Sequence, residues 1–229
     1  MEDNNRDMKS LTGLRAICCI FIILGHARSP LNFVFITNPD DSFILPIEFL
    51  QAVTIFFLLS GQSLSRVYSH NPFGVLDHPH GRRNFMMKRI MRLAPAYFTG
   101  LFLDIPFFVS AFSSSPFFVP SIIAAPLALQ SWLPQTTQWC GPLWQVSVLI
   151  TSYFLYASFF ESWIRKASNS ALWIASIICC AFPISMLLAF FVTNQPLMMF
   201  FGLIVSVIQR FPHFILGAII GEAIERSIK

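Results

Sequence analysis

Charged residues are scarce in this sequence, and their scarcity indicates the class of protein. Only 11% of the 229 residues are charged, whereas 55% are hydrophobic and the mean hydropathy is +0.64. A soluble domain carries about 25% charged residues. This chain has too little charge to cover its own surface in water. We therefore predict an all-α, multi-pass integral membrane protein with about six transmembrane helices.

Cysteine frameworks and clustered metal ligands are also missing. The five cysteines include two adjacent pairs in apolar runs, and no Cys-x-x-Cys motif occurs. Such pairs do not indicate a disulfide framework. The Asp77-His78-Pro79-His80 cluster has no second cluster to complete a site, so we predict a solvated loop and no metal. Membrane lipid is the expected surrounding, and no nucleic-acid partner is expected.

Long apolar runs are abundant, and they divide the chain into helices. They predict helices at about residues 14–36, 44–65, 93–112, 143–160, 171–192 and 196–224. The stretch 113–142 is broken by prolines, and we interpret it as an outer loop or re-entrant segment. With both termini in the cytoplasm, most basic residues fall on one side of the membrane. Residues 1–229 are thus expected to form one membrane domain.

Two ionisable residues, Arg15 and His26, lie in the first apolar run. They are eleven residues apart, which is about three helical turns or roughly 16 Å along one face. Ionisable groups inside a membrane are costly and indicate function. His26 could act as a general base that takes a proton from an acceptor hydroxyl. The alternative is a histidine hydrogen-bonded to a neighbouring helix.

Arg89 and Arg92 are three residues apart and share a helical face near the predicted start of the third helix. Cations at a helix N-terminus oppose its dipole, which favours an anionic partner such as the phosphates of coenzyme A. The alternative is that both arginines only follow the positive-inside rule.

Two further residues are candidates for the outer half of the membrane. Asp104 is expected at the depth of His26 and could orient its imidazole, as the carboxylate of a catalytic triad does. It could instead mark a helix end before Pro106. Ser147 begins the fourth predicted helix with Trp144 and could bind an acceptor hydroxyl or a thioester oxygen. A packing serine beside an interfacial tryptophan is the alternative.

Several fragments together resemble the type 3 membrane acyltransferase family. Arg15 and His26 reproduce the family's Arg-x10-His spacing, and Arg89-x-x-Arg92 is similar to its Arg-x-x-Arg element. The other fragments are Leu11-Thr12-Gly13-Leu14-Arg15-Ala16, Phe56-Phe57-Leu58-Leu59-Ser60-Gly61, Leu143-Trp144-Gln145-Val146-Ser147-Val148 and Arg210-Phe211-Pro212 with Phe214-Ile215-Leu216-Gly217-Ala218.

The resemblance implies a membrane O-acyltransferase. His26 would be the catalytic base, with Asp104 and Ser147 as further candidate catalytic residues. The donor would be an acyl-coenzyme A, with acetyl-coenzyme A expected, bound through Arg89 and Arg92 with Arg15 near its path. The acceptor would be a hydroxyl of a carbohydrate or another molecule.

Three carboxylates of the family pattern are replaced here by Thr12, Thr54 and Leu149. The family also has about ten helices, so the resemblance implies an incomplete or shortened domain. These departures favour a second hypothesis, a catalytically inactive family member that binds or regulates another membrane protein. A transporter with broken helices is a third, although no inverted repeat is visible.

Overall fold

The structure, a computed structural model, describes residues 10–24, 44–69, 80–133, 136, 139, 143–192 and 207–228. Helices make up most of these ranges, with turns between them. The helices are α1 (Ser10–Leu24), α2 (Ile44–Ser69), α3 (Gly81–Phe112), α4 (Phe118–Ala124), α5 (Trp144–Leu155), α6 (Glu161–Lys166), α7 (Asn169–Val192) and α8 (Val207–Ile228). A π-helical turn, Tyr156–Phe160, joins α5 to α6. No strand occurs in these ranges, which confirms the all-α prediction.

Three of the described helices are long and apolar enough to cross a membrane: α3, α7 and α8. Large apolar side chains on α7 are exposed rather than packed, with Trp173 at 69% and Ile177 at 64% of their surface accessible. Exposed apolar faces of this size indicate contact with lipid rather than water. A helical membrane bundle is therefore the architecture that these helices form.

Helices α2 and α8 are in direct backbone contact because glycines line their interface. A Cβ atom on Gly61 would lie 1.9 Å from the carbonyl oxygen of Phe214, and one on Gly217 would lie 1.8 Å from that of Leu58. Gly217 and Gly221 have the four-residue spacing of small residues that brings membrane helices together. This contact forms the centre of the bundle.

The main apolar core surrounds that contact. Its fully buried members include Val53 and Phe57 of α2, Val148 of α5 and Phe214 of α8. A second, smaller core joins α3 to the segment between α3 and α5, where Phe108 stacks on Phe118 and Trp139 at centroid distances of 4.9 and 5.1 Å. The described part of this segment contains the short helix α4 and turns.

Some predicted helix boundaries are wrong. Helix α3 begins at Gly81 rather than near Leu93, and the fourth predicted helix continues beyond Phe160 to Lys166 through the π turn. The reason at α3 is that Arg, Lys and Met are good helix formers, so the helix extends past its apolar part. Residues 25–36 and 193–206, which belong to the first and last predicted helices, lie outside the described residues.

Candidate functional site

The three arginines proposed to bind the donor lie together, although they come from two helices that are distant in sequence. Arg15 of α1 and Arg89 and Arg92 of α3 all act electrostatically on the hydroxyl of Tyr153 in α5, and Arg15 and Arg89 act on one another. We call these four residues the arginine cluster. The sequence indicated Arg89 and Arg92 as one pair with Arg15 near the path of the donor, and the fold brings all three within electrostatic range of one tyrosine.

Aromatic rings hold the guanidinium group of Arg89. Its central carbon lies 5.5 Å from the ring centroid of Phe85 and 5.5 Å from that of Tyr153. The two rings meet edge to face at 6.1 Å. Cation–π contacts of this kind fix a guanidinium while leaving its N–H groups available to an anion.

Arg15 makes one hydrogen bond to the neighbouring helix. Its terminal nitrogen donates to the carbonyl oxygen of Leu59 in α2 at 2.7 Å. Its Nε atom is buried and has no hydrogen-bond partner among the described residues. The side chain is therefore anchored at one end, and its buried Nε–H donor still lacks an acceptor.

No carboxylate forms an ion pair with the arginine cluster within the ranges that the structure describes. Three other arginines in the same ranges are paired with glutamates: Arg66 with Glu225 at 3.2 Å, Arg165 with Glu161 at 2.7 Å and Arg226 with Glu222 at 3.0 Å. Positive charges that gather without a carboxylate repel one another, so an anion would stabilise them. The arrangement can therefore bind a phosphate or a similar anion.

The helix-dipole reasoning for Arg89 and Arg92 is wrong. Because α3 begins at Gly81, these residues lie in its third and fourth turns rather than at its N-terminus. The dipole acts mainly within the first turn. What favours an anion here is the proximity of the positive charges of Arg15, Arg89 and Arg92.

Ser147 is fully buried, and its hydroxyl oxygen lies 2.5 Å from that of Ser131. The backbone N–H of Ser131 also donates to Ser147 Oγ at 3.3 Å. Beside this pair, the hydroxyl of Tyr97 lies 2.9 Å from Gln130 Oε1. These buried hydrogen bonds form a polar network that joins α3, α5 and the segment between them. Ser147 belongs to this network rather than to the arginine cluster.

Asp104 lies on α3, partly buried. It is 15 residues beyond Arg89, which is about 22 Å along the helix, so it is not part of the arginine cluster. His26 lies outside the described residues, and its predicted pairing with Asp104 stays a prediction. Among the described residues, no group of three or more histidines, cysteines or carboxylates can hold a metal ion.

Tyr153 and Arg210 are two candidate site residues that the sequence did not single out as such. Tyr153 stands in an apolar run and looks like a packing residue. Arg210 is 3% exposed, donates to the hydroxyl of Thr54 at 2.8 Å, and lies 6.0 Å from the ring centroid of Trp144. Thr54 stands where the resemblance implies a carboxylate, so a neutral hydroxyl here takes the place of a charged partner.

A family model described as an acyltransferase domain, of type 3, matches residues 8–229 of the chain. The matched range contains every member of the arginine cluster, together with His26, Asp104 and Ser147. The match confirms the family resemblance predicted from the motifs. No curated protein and no solved structure matches the chain significantly.

Proposed function

The chain belongs to the type 3 acyltransferase family, and we propose that it transfers an acyl group from acyl-coenzyme A to a hydroxyl of a carbohydrate or another acceptor. Acetyl-coenzyme A is the expected donor. The observation that carries the proposal is the meeting of Arg15, Arg89 and Arg92 around Tyr153, unpaired with carboxylates among the described residues. Coenzyme A carries the phosphates that such a site can bind.

In the proposed reaction, the arginine cluster binds the donor's phosphates on the cytoplasmic side. His26 takes the proton from the acceptor hydroxyl as its oxygen attacks the thioester carbonyl carbon. The C–O ester bond forms, the C–S bond breaks, and the proton passes from His26 to the leaving thiolate of coenzyme A. Atoms and charge balance without another reactant.

Asp104 and Ser147 have supporting roles in this proposal. Asp104 would orient His26 and stabilise its charged form. Ser147 would bind the acceptor hydroxyl or the thioester oxygen, and its contact with Ser131 would have to open or be shared for it to do so. In this proposal the chain crosses the membrane several times, with the basic end of α3 in the cytoplasm.

The decisive experiment compares two arginines of the same helix. Arg89→Ala removes a cluster member, whereas Arg83→Ala removes an exposed arginine of the same basic segment. Both variants lose one positive charge, so effects on membrane orientation are matched. We expect Arg89→Ala to raise the KM for acetyl-coenzyme A at least tenfold, because one charge-assisted contact to the donor is lost. Arg83→Ala should have the KM of the wild type. Equal effects of the two substitutions would contradict the proposal.

His26→Ala tests the chemical step separately. We expect this variant to bind coenzyme A as tightly as the wild type but to lose acyl transfer by a factor of about 100 or more. The measurement is acyl transfer by the purified protein alongside direct coenzyme A binding. Undiminished transfer by this variant would exclude His26 as the base.

A second candidate function is a binding or regulatory membrane protein without turnover. Two residues that replace carboxylates of the family pattern favour this function, because both are integrated into the structure. Thr54 is hydrogen-bonded to Arg210, and Leu149 is 5% exposed in the main core. Turnover of acyl-coenzyme A that depends on His26 would exclude this reading. Its absence in a protein that still binds coenzyme A would favour it.

A further inference from the structure

Tyr153 occupies the middle of the arginine cluster, yet its ring is held by other residues. The ring meets Phe85 of α3 edge to face at 6.1 Å and Phe214 of α8 at 5.8 Å, and the residue is 8% exposed. Packing therefore fixes the ring from two sides. The direction of its C–O bond is consequently set before any ligand arrives.

The hydroxyl of Tyr153 makes no hydrogen bond to another residue within the part of the chain that the structure describes. A phenol is protonated at neutral pH and offers one O–H donor. The hydroxyl oxygen keeps contact with solvent, so a ligand that displaces this solvent can supply the acceptor that the protein does not. The neighbouring arginines cannot supply that acceptor, because a guanidinium only donates.

The cluster is thus made of donors that come from three helices. Arg15 contributes its unpartnered Nε–H, Arg89 and Arg92 contribute guanidinium N–H groups, and Tyr153 contributes its O–H. A phosphate has several acceptor oxygens around one centre, so donors that arrive from different directions suit it. A single carbonyl oxygen could satisfy only a few of them.

We propose that the Tyr153 hydroxyl donates a hydrogen bond to a phosphate oxygen of the acyl donor, completing the anion site formed by Arg15, Arg89 and Arg92. This inference rests on the proposed function, since it assigns a further residue to the same donor site. Tyr153 then has two tasks. Its ring holds Arg89 through the cation–π contact, and its hydroxyl binds the ligand.

The two tasks are separable by Tyr153→Phe, which keeps the ring and removes only the hydroxyl. Tyr156→Phe is the matched control: Tyr156 is also buried, lies one turn further along the same helix, and its hydroxyl is hydrogen-bonded to Ser65 away from the cluster. The experiment measures coenzyme A binding to the purified full chain in neutral detergent, the KM and kcat of acyl transfer, and the thermal unfolding midpoint.

We expect Tyr153→Phe to weaken coenzyme A binding and raise donor KM about tenfold, as removing one hydrogen bond to a charged group does. The kcat, the acceptor KM and the unfolding midpoint should stay at wild-type values. Tyr156→Phe should bind coenzyme A as the wild type does. Acyl-pantetheine, which lacks the phosphates, should show no difference between Tyr153→Phe and wild type.

Several outcomes would overturn the inference. Wild-type coenzyme A binding by Tyr153→Phe, beside a loss in Arg89→Ala, would remove Tyr153 from the site and leave the proposed function standing. An equal loss with acyl-pantetheine would show that the hydroxyl does not act on phosphate. Binding of anionic lipid, rather than coenzyme A, that depends on Tyr153 would assign the phosphate to a lipid headgroup. No coenzyme A binding by the wild type would contradict the proposed function itself.

Discussion

The protein uses arginine in two different ways in two regions of one bundle. Where α2, α6 and α8 meet, Arg66, Arg165 and Arg226 each contact a glutamate. Around Tyr153, the described structure places the charges of Arg15, Arg89 and Arg92 close together without one. A buried cation with a carboxylate is satisfied by the fold, whereas cations gathered without one need a ligand or solvent. The difference separates arginines that support the structure from arginines that can bind.

The largest loss of stability is expected from Glu225→Ala, in the region where arginines pair with glutamates (the paired region). Arg66 and Glu225 are 4% and 3% exposed, and removing one partner leaves a buried charge uncompensated. We expect the free energy of unfolding in detergent to fall by about 3–5 kcal/mol. Glu222→Ala, which breaks a more exposed pair on the same helix, should cost clearly less. Equal losses would mean that burial does not distinguish these pairs.

Gly217→Ala tests the backbone contact that supports the paired region. Its new Cβ would lie 1.8 Å from the carbonyl oxygen of Leu58, so α2 and α8 must separate. We expect a loss of about 3 kcal/mol in unfolding free energy, at the upper end for overpacking. Gly13→Ala on α1 is the control, because nothing lies within 4 Å of its added Cβ. If both variants unfold as the wild type does, the close contact of α2 with α8 is incorrect.

Arg226→Lys should have a smaller effect on stability. Arg226 donates to the carbonyl oxygens of Ile164, Arg165 and Ala167 at the end of α6 as well as to Glu222. A lysine keeps the charge but cannot reach several acceptors at once, so about 1 kcal/mol should be lost. Arg89→Lys should instead leave unfolding unchanged and weaken donor binding. Loss of stability in Arg89→Lys, with weaker donor binding in Arg226→Lys, would contradict the distinction between the two regions.

Raising the ionic strength should have the smallest effect of these tests, and it should act on coenzyme A binding rather than on stability. Arg92 is exposed and Arg89 and Arg15 are only partly buried, so salt screens the attraction between these residues and an anion. Coenzyme A binding should weaken several-fold as potassium chloride rises from about 0.05 M to about 0.5 M. The unfolding free energy should change little, because the Arg66–Glu225 pair is shielded. Binding insensitive to salt would argue against an electrostatic donor site.

The sequence predicted the fold well where a helix is apolar along its whole length. Helices α2 and α7 begin within about two residues of their predicted starts, at Ile44 and Asn169. Helix α3 was predicted too short because its first turns are basic and therefore look like a polar connection. The part of α3 that was not predicted, from Gly81 to Arg92, carries Arg89 and Arg92. The wrong boundary therefore affected the candidate site.

The sequence predicted which arginines belong to the candidate site, but not how they are arranged in space. Spacing and family resemblance indicated Arg89 and Arg92 as a pair that binds the donor, with Arg15 near the donor's path. Their meeting around Tyr153 depends on how α1, α3 and α5 are rotated against each other, which the packing of the whole bundle sets. Tyr153 itself gave no local signal, since a tyrosine in an apolar run is usually a core residue. Only the three-dimensional positions of its neighbours distinguish it.

The π turn at Tyr156–Phe160 lets one long helix serve both regions. Its defining bond runs from the N–H of Glu161 to the carbonyl oxygen of Tyr156, five residues back instead of four. The extra residue rotates everything after the turn by about 100° relative to a continuous α-helix. Tyr153 before it can therefore face the arginine cluster while Arg165 after it donates to the carbonyl oxygen of Tyr68 in α2. Removing one residue from this turn would put the two halves out of phase, so the number of residues here is as constrained as their identity.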